Sequence, residues 1–169
     1  MSSIYLIGFM GSGKSSVGRK LASLLQYDFL DTDTEIERRT GKSIPQIFDT
    51  EGECFFREQE QALIAELCQK DNIVVATGGG TPCFFDNMQR MNQAGLTIYL
   101  HAIPKILKHR LIKRKHLRPL LQNIPDEKME PYIAEQLFQR GHYYCQAKIT
   151  VEAFNVTARK LLWTIQGEK

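Results

Sequence analysis

Short apolar runs of strand length alternate with amphipathic stretches along the chain. The first run, "IYLIGF", is β-rich and leads through glycines into "SSVGRKLASLLQ", where Val17, Leu21 and Leu24 recur at helical spacing. "YDFLDTD" predicts a second strand, and "DTEIERRTG" predicts a short helix that opens on acids and stops at Gly41. Residues 43–71 read as mostly helical, with a break near Gly52. "NIVVATGGG" predicts a third strand ending in three glycines, "DNMQRMNQAG" a helix, and "LTIYLHA" a fourth strand. A basic helix is expected over residues 104–115, a longer one over "DEKMEPYIAEQLFQRGHYYCQA", a fifth strand at "KITVEA", and a last helix at "NVTARKLLWTIQG". Apolar strands that alternate with helices predict a parallel sheet covered on both faces. The expected fold class is therefore α/β, a three-layer α/β/α domain spanning residues 1–169 around a central five-stranded parallel sheet.

Composition narrows this picture by exclusion. A length of 169 residues suits one domain with a sizeable core. A net charge of +3 is too mild to imply a nucleic-acid partner, and no segment approaches a membrane-spanning apolar run. The start, "MSSIYLIGF", has no basic region and no small-residue cleavage site. Cys54, Cys68, Cys83 and Cys145 are widely spaced with no CxxC pair, which fits reduced thiols. The expectation is a cytoplasmic protein with neither a nucleic-acid nor a membrane partner. The charge is unevenly spread: Lys105 to Arg118 holds seven Lys or Arg and no acid. That run reads as a solvated helix face or as a nucleic-acid patch, the second disfavoured because it lacks interleaved aromatics, while residues 112–125 are a candidate mobile flap.

"GFMGSGKS", residues 8–15, fits G-x-x-x-x-G-K-[ST] and lies between a predicted strand and a predicted helix, the context the motif requires. Glycines there let backbone N–H groups curl around phosphate oxygens, and the helix N-terminus adds a favourable field. Lys14 reaches the β- and γ-phosphates, and Ser15 offers a hydroxyl to Mg²⁺. A dinucleotide fingerprint fails, because Ser16 stands where the third glycine would follow Gly11 and Gly13. The loop predicts a nucleoside triphosphate ligand and leaves open what receives the phosphoryl group.

Three features bear on the acceptor. Asp31 and Asp33 lie two positions apart, which on a strand puts them on one face, near the end where α/β sheets collect ligands. Gly78, Gly79 and Gly80 remove side chains at a second strand end and let backbone approach a ligand closely. Arg57, Arg118 and Arg140 each sit beside apolar or aromatic residues rather than in a charge run. Glu60, three residues after Arg57, is placed to hold its fork, and two converging forks would clamp a carboxylate. A GTPase reading of "DTEG", residues 49–52, fails because it follows a helix and no N-K-x-D motif occurs.

"GFMGSGKSSVGRKLA", "FLDTDTEIE", "GKSIPQIFDTEGECFFREQE", "VVATGGGT", "LRPLL" and "QRGHYY", in this order, resemble the shikimate kinase family over nearly the full chain. The resemblance implies a P-loop NTPase fold with a mobile lid at about 112–125 and a shikimate-binding helical region at about 33–61. It implies transfer of the γ-phosphoryl of ATP to the 3-hydroxyl of shikimate, in chorismate and aromatic amino-acid biosynthesis; the absence of a linker or extra domain leads to the expectation of a monomer. Lys14, Asp33 and Arg118 would be catalytic, with Asp33 the base. Gly11, Ser12, Gly13, Lys14, Ser15, Ser16, Arg110 and Arg118 would bind ATP, Arg110 being favoured over Arg114 as the adenine neighbour. Asp33, Arg57, Gly78, Gly79, Gly80 and Arg140 would bind shikimate, and Ser15 with Asp31 would hold Mg²⁺. Ile44, Phe48, Phe56, Pro119 and Leu120 match the pocket's apolar wall. The alternative is another small-molecule kinase of the same fold, of gluconate or nucleoside monophosphate type.

Overall fold

The computed structural model describes residues 2–113, 121 and 124–167. Five strands form one sheet: β1 (Ser3–Ile7), β2 (Asp28–Asp31), β3 (Ile73–Ala76), β4 (Gly95–His101) and β5 (Ile149–Glu152). Their spatial order is β2-β3-β1-β4-β5 and every pairing is parallel. Around them run α1 (Lys14–Leu25), α2 (Thr32–Thr40), α3 (Ile44–Thr50), α4 (Gly52–Leu67), α5 (Asn87–Ala94), α6 (Pro104–Ile112), α7 (Met129–Tyr144) and α8 (Ala158–Gly167).

The alternation inside each strand sorts the core into two halves. Ile4 and Leu6 of β1, Val74 of β3, and Ile98 and Leu100 of β4 face Val17, Leu21, Leu107, Ile133 and Leu161 of α1, α6, α7 and α8. Tyr5, Ile7, Ile73, Val75 and Tyr99 face the other way, onto Ile36, Ile47, Leu63, Ile64 and Met91 of α2 to α5. Both faces are buried, which is why β1 and β3 read as continuous apolar runs. The three-layer expectation holds.

The helix boundaries have local causes. Ser43 and Gln46 form a reciprocal capping box at the start of α3. Gly41 ends α2 in the left-handed region, and Gly52 at φ +85 breaks α3 from α4 as expected. The basic helix stops earlier than its charge run suggested, at Ile112. Most of the expected lid, residues 114–120 and 122–123, lies outside the described residues, and so does Arg118.

The sheet order also fixes where a ligand belongs. From β1 the chain moves to one side for β2 and β3, and to the other for β4 and β5. Loops leaving β1 and β3 therefore diverge at a switch point, and the crevice beyond their carboxyl ends is the ligand position of open α/β sheets. Residues 8–13 and 77–80 leave those two strand ends, tied by Thr77 N–H to the Leu6 carbonyl at 3.1 Å. Among the described residues no helix is long and apolar enough to cross a membrane.

Candidate active site

The loop of residues 8–13 is a concave turn closed on its own lysine. Gly13 takes φ +99 at the N-cap of α1, a conformation in which a β-carbon is strained. Lys14 is buried, and its Nζ donates to the Gly8 carbonyl at 2.7 Å and the Phe9 carbonyl at 2.9 Å. Arg110 of α6 closes one side, donating to the Gly11 and Ser12 carbonyls at 3.2 and 3.3 Å and to the Ala153 carbonyl at 3.1 Å. Arg110 thus stands at the phosphate loop; Arg114 lies outside the described residues.

The two aspartates are arranged differently from the expectation. They do not share a strand face, because β2 ends at Asp31 and Asp33 sits in the first turn of α2. Asp31 is the N-cap, with Oδ1 accepting from the N–H groups of Asp33 at 3.1 Å and Thr34 at 3.4 Å. That cap satisfies helix donors the strand reading would have left in the ladder. The second oxygen, Oδ2, accepts from Ser15 Oγ at 2.5 Å. Asp31 therefore divides its carboxylate between fold and site.

A cleft of about 450 Å³ opens between these groups. Lys14, Ser15, Asp31, Asp33, Thr77 and Gly79 line it, with Arg110 and Lys113 on the α6 side. Oxygen donors from one hydroxyl and one carboxylate suit Mg²⁺, which keeps several waters and takes further ligands from phosphates. Among the described residues no group of three or more His, Cys, Asp and Glu is arranged as an all-protein metal cage. Ser15 and Asp31 fit a Mg²⁺ that arrives with its nucleotide.

The glycine run does something the sequence reading had not seen. Its close approach is to side chains of the chain itself. A β-carbon at Gly78 would lie 2.7 Å from both Asp33 Oδ1 and Glu60 Oε1 and 2.8 Å from Thr81 Oγ1. One at Gly80 would lie 2.7 and 2.9 Å from the two terminal nitrogens of Arg57, and one at Gly79 would lie 3.7 Å from an Arg140 nitrogen. The two forks therefore converge on neighbouring glycines of one loop.

Each fork is held. Arg57 donates from Nη1 to Glu60 at 2.6 Å, as its spacing predicted, and from Nε and Nη2 to Glu53 at 3.1 and 3.0 Å. Its guanidinium also lies 4.0 Å from the centre of the Phe84 ring. Glu60 is 1% exposed and accepts from the Thr81 hydroxyl. Burial pushes its carboxyl above the usual range, against the pull of Arg57 and Thr81. Arg140 donates to Gln136 at 2.9 Å and lies over the Phe9 ring. One turn further on, Tyr144 donates to the Gly79 carbonyl at 2.6 Å, and burial raises its pKa, so the phenol stays a donor. Burial likewise pushes the Cys83 thiol up to about 11, leaving a neutral group near both arginines.

Glu53, Thr81, Phe84 and Tyr144 were not singled out in the sequence. Glu53 and Tyr144 had a signal, four residues from Arg57 and Arg140 on the same helix faces. Thr81 and Phe84 had none. Of the expected apolar wall, Ile44, Phe48 and Phe56 pack together, with the two phenyl rings 5.1 Å apart. Pro119 and Leu120 lie outside the described residues.

A parallel sheet ordered β2-β3-β1-β4-β5, with a lysine-bearing phosphate loop after β1 and a carboxylate–hydroxyl pair at the end of β2, defines a P-loop phosphotransferase. The sequence model described as "Shikimate kinase" matches residues 10–165. A shikimate kinase of Parabacteroides distasonis is 42% identical over 153 residues, covering 90% of this chain and 88% of that protein. Among solved structures, the shikimate kinase of Bacteroides thetaiotaomicron superposes with a TM-score of 0.90 at 35% identity, covering 98% of each chain. That of Acinetobacter baumannii, in complex with shikimate, gives 0.92 at 39% identity, covering 100% of this chain and 95% of the other. The chain belongs to the shikimate kinase family.

Proposed function

We propose that this protein transfers the γ-phosphoryl of ATP to the 3-hydroxyl of shikimate, giving shikimate 3-phosphate and ADP, as a cytoplasmic monomer. The observation that carries this reading is the corner where Asp33 Oδ1, Glu60 Oε1 and the Arg57 fork crowd Gly78 and Gly80, beside the lysine-bearing loop. A hydroxylated carboxylic acid is the acceptor such a corner suits: the acid on Arg57 and Arg140, the hydroxyl on Asp33.

Phosphoryl transfer is mostly positioning and charge stabilisation. Lys14 exchanges its bonds to the Gly8 and Phe9 carbonyls for oxygens of the β- and γ-phosphates. The loop amides of Gly11 to Ser16 cradle the same phosphates at the head of α1. Ser15 and Asp31, directly or through water, would hold Mg²⁺, which would supply charge neutralisation at the phosphate oxygens. Arg118, by its place in the resemblance, adds a second cation from the lid, and closure of the basic run excludes water. Asp33 orients the acceptor hydroxyl and takes its proton late, a contribution on the order of 10²–10⁴-fold in rate.

ADP release measured with shikimate, gluconate and AMP as acceptors tests the assignment, with shikimate expected to be the productive one. Asp33→Asn is expected to lower turnover by on the order of 10²-fold or more while leaving the KM for ATP within twofold. Turnover at the unaltered rate would remove Asp33 from the base role.

A further inference from the structure

The segment that follows the glycine run carries two phenylalanines in unlike settings. Phe84 is half-buried, and its ring centre lies 4.0 Å from the Arg57 guanidinium. Phe85 is 57% exposed and takes φ +51, a left-handed conformation that a bulky side chain rarely adopts. Such strain persists only where the surroundings over-determine it. Here the Cys83 N–H bonds the Gly80 carbonyl at 2.8 Å, and the buried Asn87 donates from Nδ2 to the Thr81 carbonyl at 3.0 Å. The segment is pinned on both sides, with one ring in water and the other over Arg57.

An arginine presents its five N–H donors in one plane. Nε and Nη2 of Arg57 bond Glu53 and Nη1 bonds Glu60, leaving, among the described residues, one donor on each terminal nitrogen. Glycine at position 80 keeps that edge open, because a β-carbon there would stand 2.7 and 2.9 Å from the same two nitrogens. A carboxylate that takes both donors needs the guanidinium plane held in one orientation. A further acid in the plane could hold it only by consuming one of those donors. A ring face attracts the cation through its quadrupole and consumes none. Glu53 is 55% exposed, so water weakens its hold, whereas the ring of Phe84 meets an arginine side chain that is only 8% exposed.

We infer that Phe84 is a positioning residue of the acceptor site: its ring fixes the plane of the Arg57 fork and leaves both remaining donors to the acceptor's carboxylate. The inference rests on the carboxylate-clamp reading above and adds to it a residue that acts through Arg57. The carboxylate is not the reacting group, so the effect falls on acceptor binding rather than on the chemical step.

Steady-state ADP release by three variants of the full chain tests this. Phe84→Leu keeps an apolar side chain and removes the ring face. It is expected to raise the KM for shikimate between about threefold and about thirtyfold, the range of a lost cation–π contact at a mostly buried arginine. The kcat and the KM for ATP stay within twofold. Phe84→Tyr, which keeps a ring face, holds the KM for shikimate within twofold of wild type. A KM for shikimate within twofold of wild type in Phe84→Leu would overturn the inference, and so would a rise that Phe84→Tyr shares in full. A parallel loss in kcat and in both KM values would overturn it too, since that marks a role in folding alone. Arg57→Ala tests the shared premise. An unchanged KM for shikimate there would sink the clamp, and the inference with it; a raised KM there beside a silent Phe84→Leu would sink the inference alone.

Discussion

Substituting Gly78 by alanine adds one methyl group where three polar side chains meet, and its effect can be worked from the geometry. The added carbon would sit 2.7 Å from Asp33 Oδ1 and from Glu60 Oε1, and 2.8 Å from Thr81 Oγ1, against an ordinary contact of 3.4 Å or more. Something must retreat by roughly 0.7 Å, since close-packed interiors have no slack to absorb the overlap. Glu60 has little freedom: it is buried, bonded to Arg57 at 2.6 Å and also to Thr81. Asp33, half-buried on the wall of the cleft, is the group that yields. A displacement near 1 Å in a positioned reacting group costs on the order of 10²-fold in rate. Gly78→Ala is therefore expected to lower kcat by roughly 10- to 100-fold with the KM for ATP unchanged, and overpacking of about 1–3 kcal/mol lowers Tm by about 2–10 °C. Gly41→Ala is the control. There φ is +67 and nothing lies within 4 Å, so the change strains backbone alone, costs about 1 kcal/mol, and leaves kinetics intact. Steady-state kinetics with thermal melts of both variants decide the matter. A Gly78→Ala enzyme with kcat within twofold of wild type would refute the crowding argument, and so would an equal kinetic loss at Gly41.

Two further outcomes are expected. Arg140→Ala raises the KM for shikimate at least tenfold, as loss of one charge-assisted fork of a two-arginine clamp does, and moves the KM for ATP less than twofold; equal effects on both substrates in initial-rate measurements would contradict the clamp. Glu35 is hydrogen-bonded to Arg38 and Arg39, which hold its carboxyl at about 2 against an ordinary 4.5. A carboxyl lowered on folding stabilises the fold above pH 4.5, and that stabilisation is lost as pH falls through 2. Between those values Tm should fall more steeply for wild type than for Glu35→Gln, and parallel melting curves would remove the pair from the stability account. Glu60, raised by burial, has the opposite sign: its contribution is full below pH 4.5 and fades as pH rises through its folded value.

The layer architecture was legible because both faces of the inner strands are buried. Tyr5 and Ile7 are as apolar as Ile4 and Leu6, a pattern that parallel sheets between helix layers demand. Strand order was not legible, since it depends on pairings between residues some seventy positions apart, such as Leu6 with Ala76. Local signals carried the phosphate loop and the Arg57–Glu60 pair, at fixed short spacings. The aspartate pair went wrong at a boundary. In "DTDTEI" a period of two and a capped helix start compete, and the acids at Asp33 and Glu35 in the first turn of α2 favoured the helix. Extending the strand by two residues kept both acids at the cleft but gave the wrong reason for their closeness.

That reason now lies in the cap and the glycines together. Asp31 turns the chain into α2 with one oxygen and accepts from Ser15 with the other, and the helix start carries Asp33 onto Gly78. Thr32, between them, accepts from the Gly78 N–H at 2.8 Å and fixes the distance between the two strand ends. On the far side, Tyr144 takes the Gly79 carbonyl and brings the α7 turn that carries Arg140, while Gly80 lies under Arg57. Three consecutive residues without β-carbons thus meet three elements, α2, α7 and α4, each bearing a different working side chain. Reacting atoms must be held about 3–3.5 Å apart for transfer, and a side chain on this loop would push at least one of those elements out of reach. The glycines let the proposed base, the proposed carboxylate clamp and the phosphate loop share one corner.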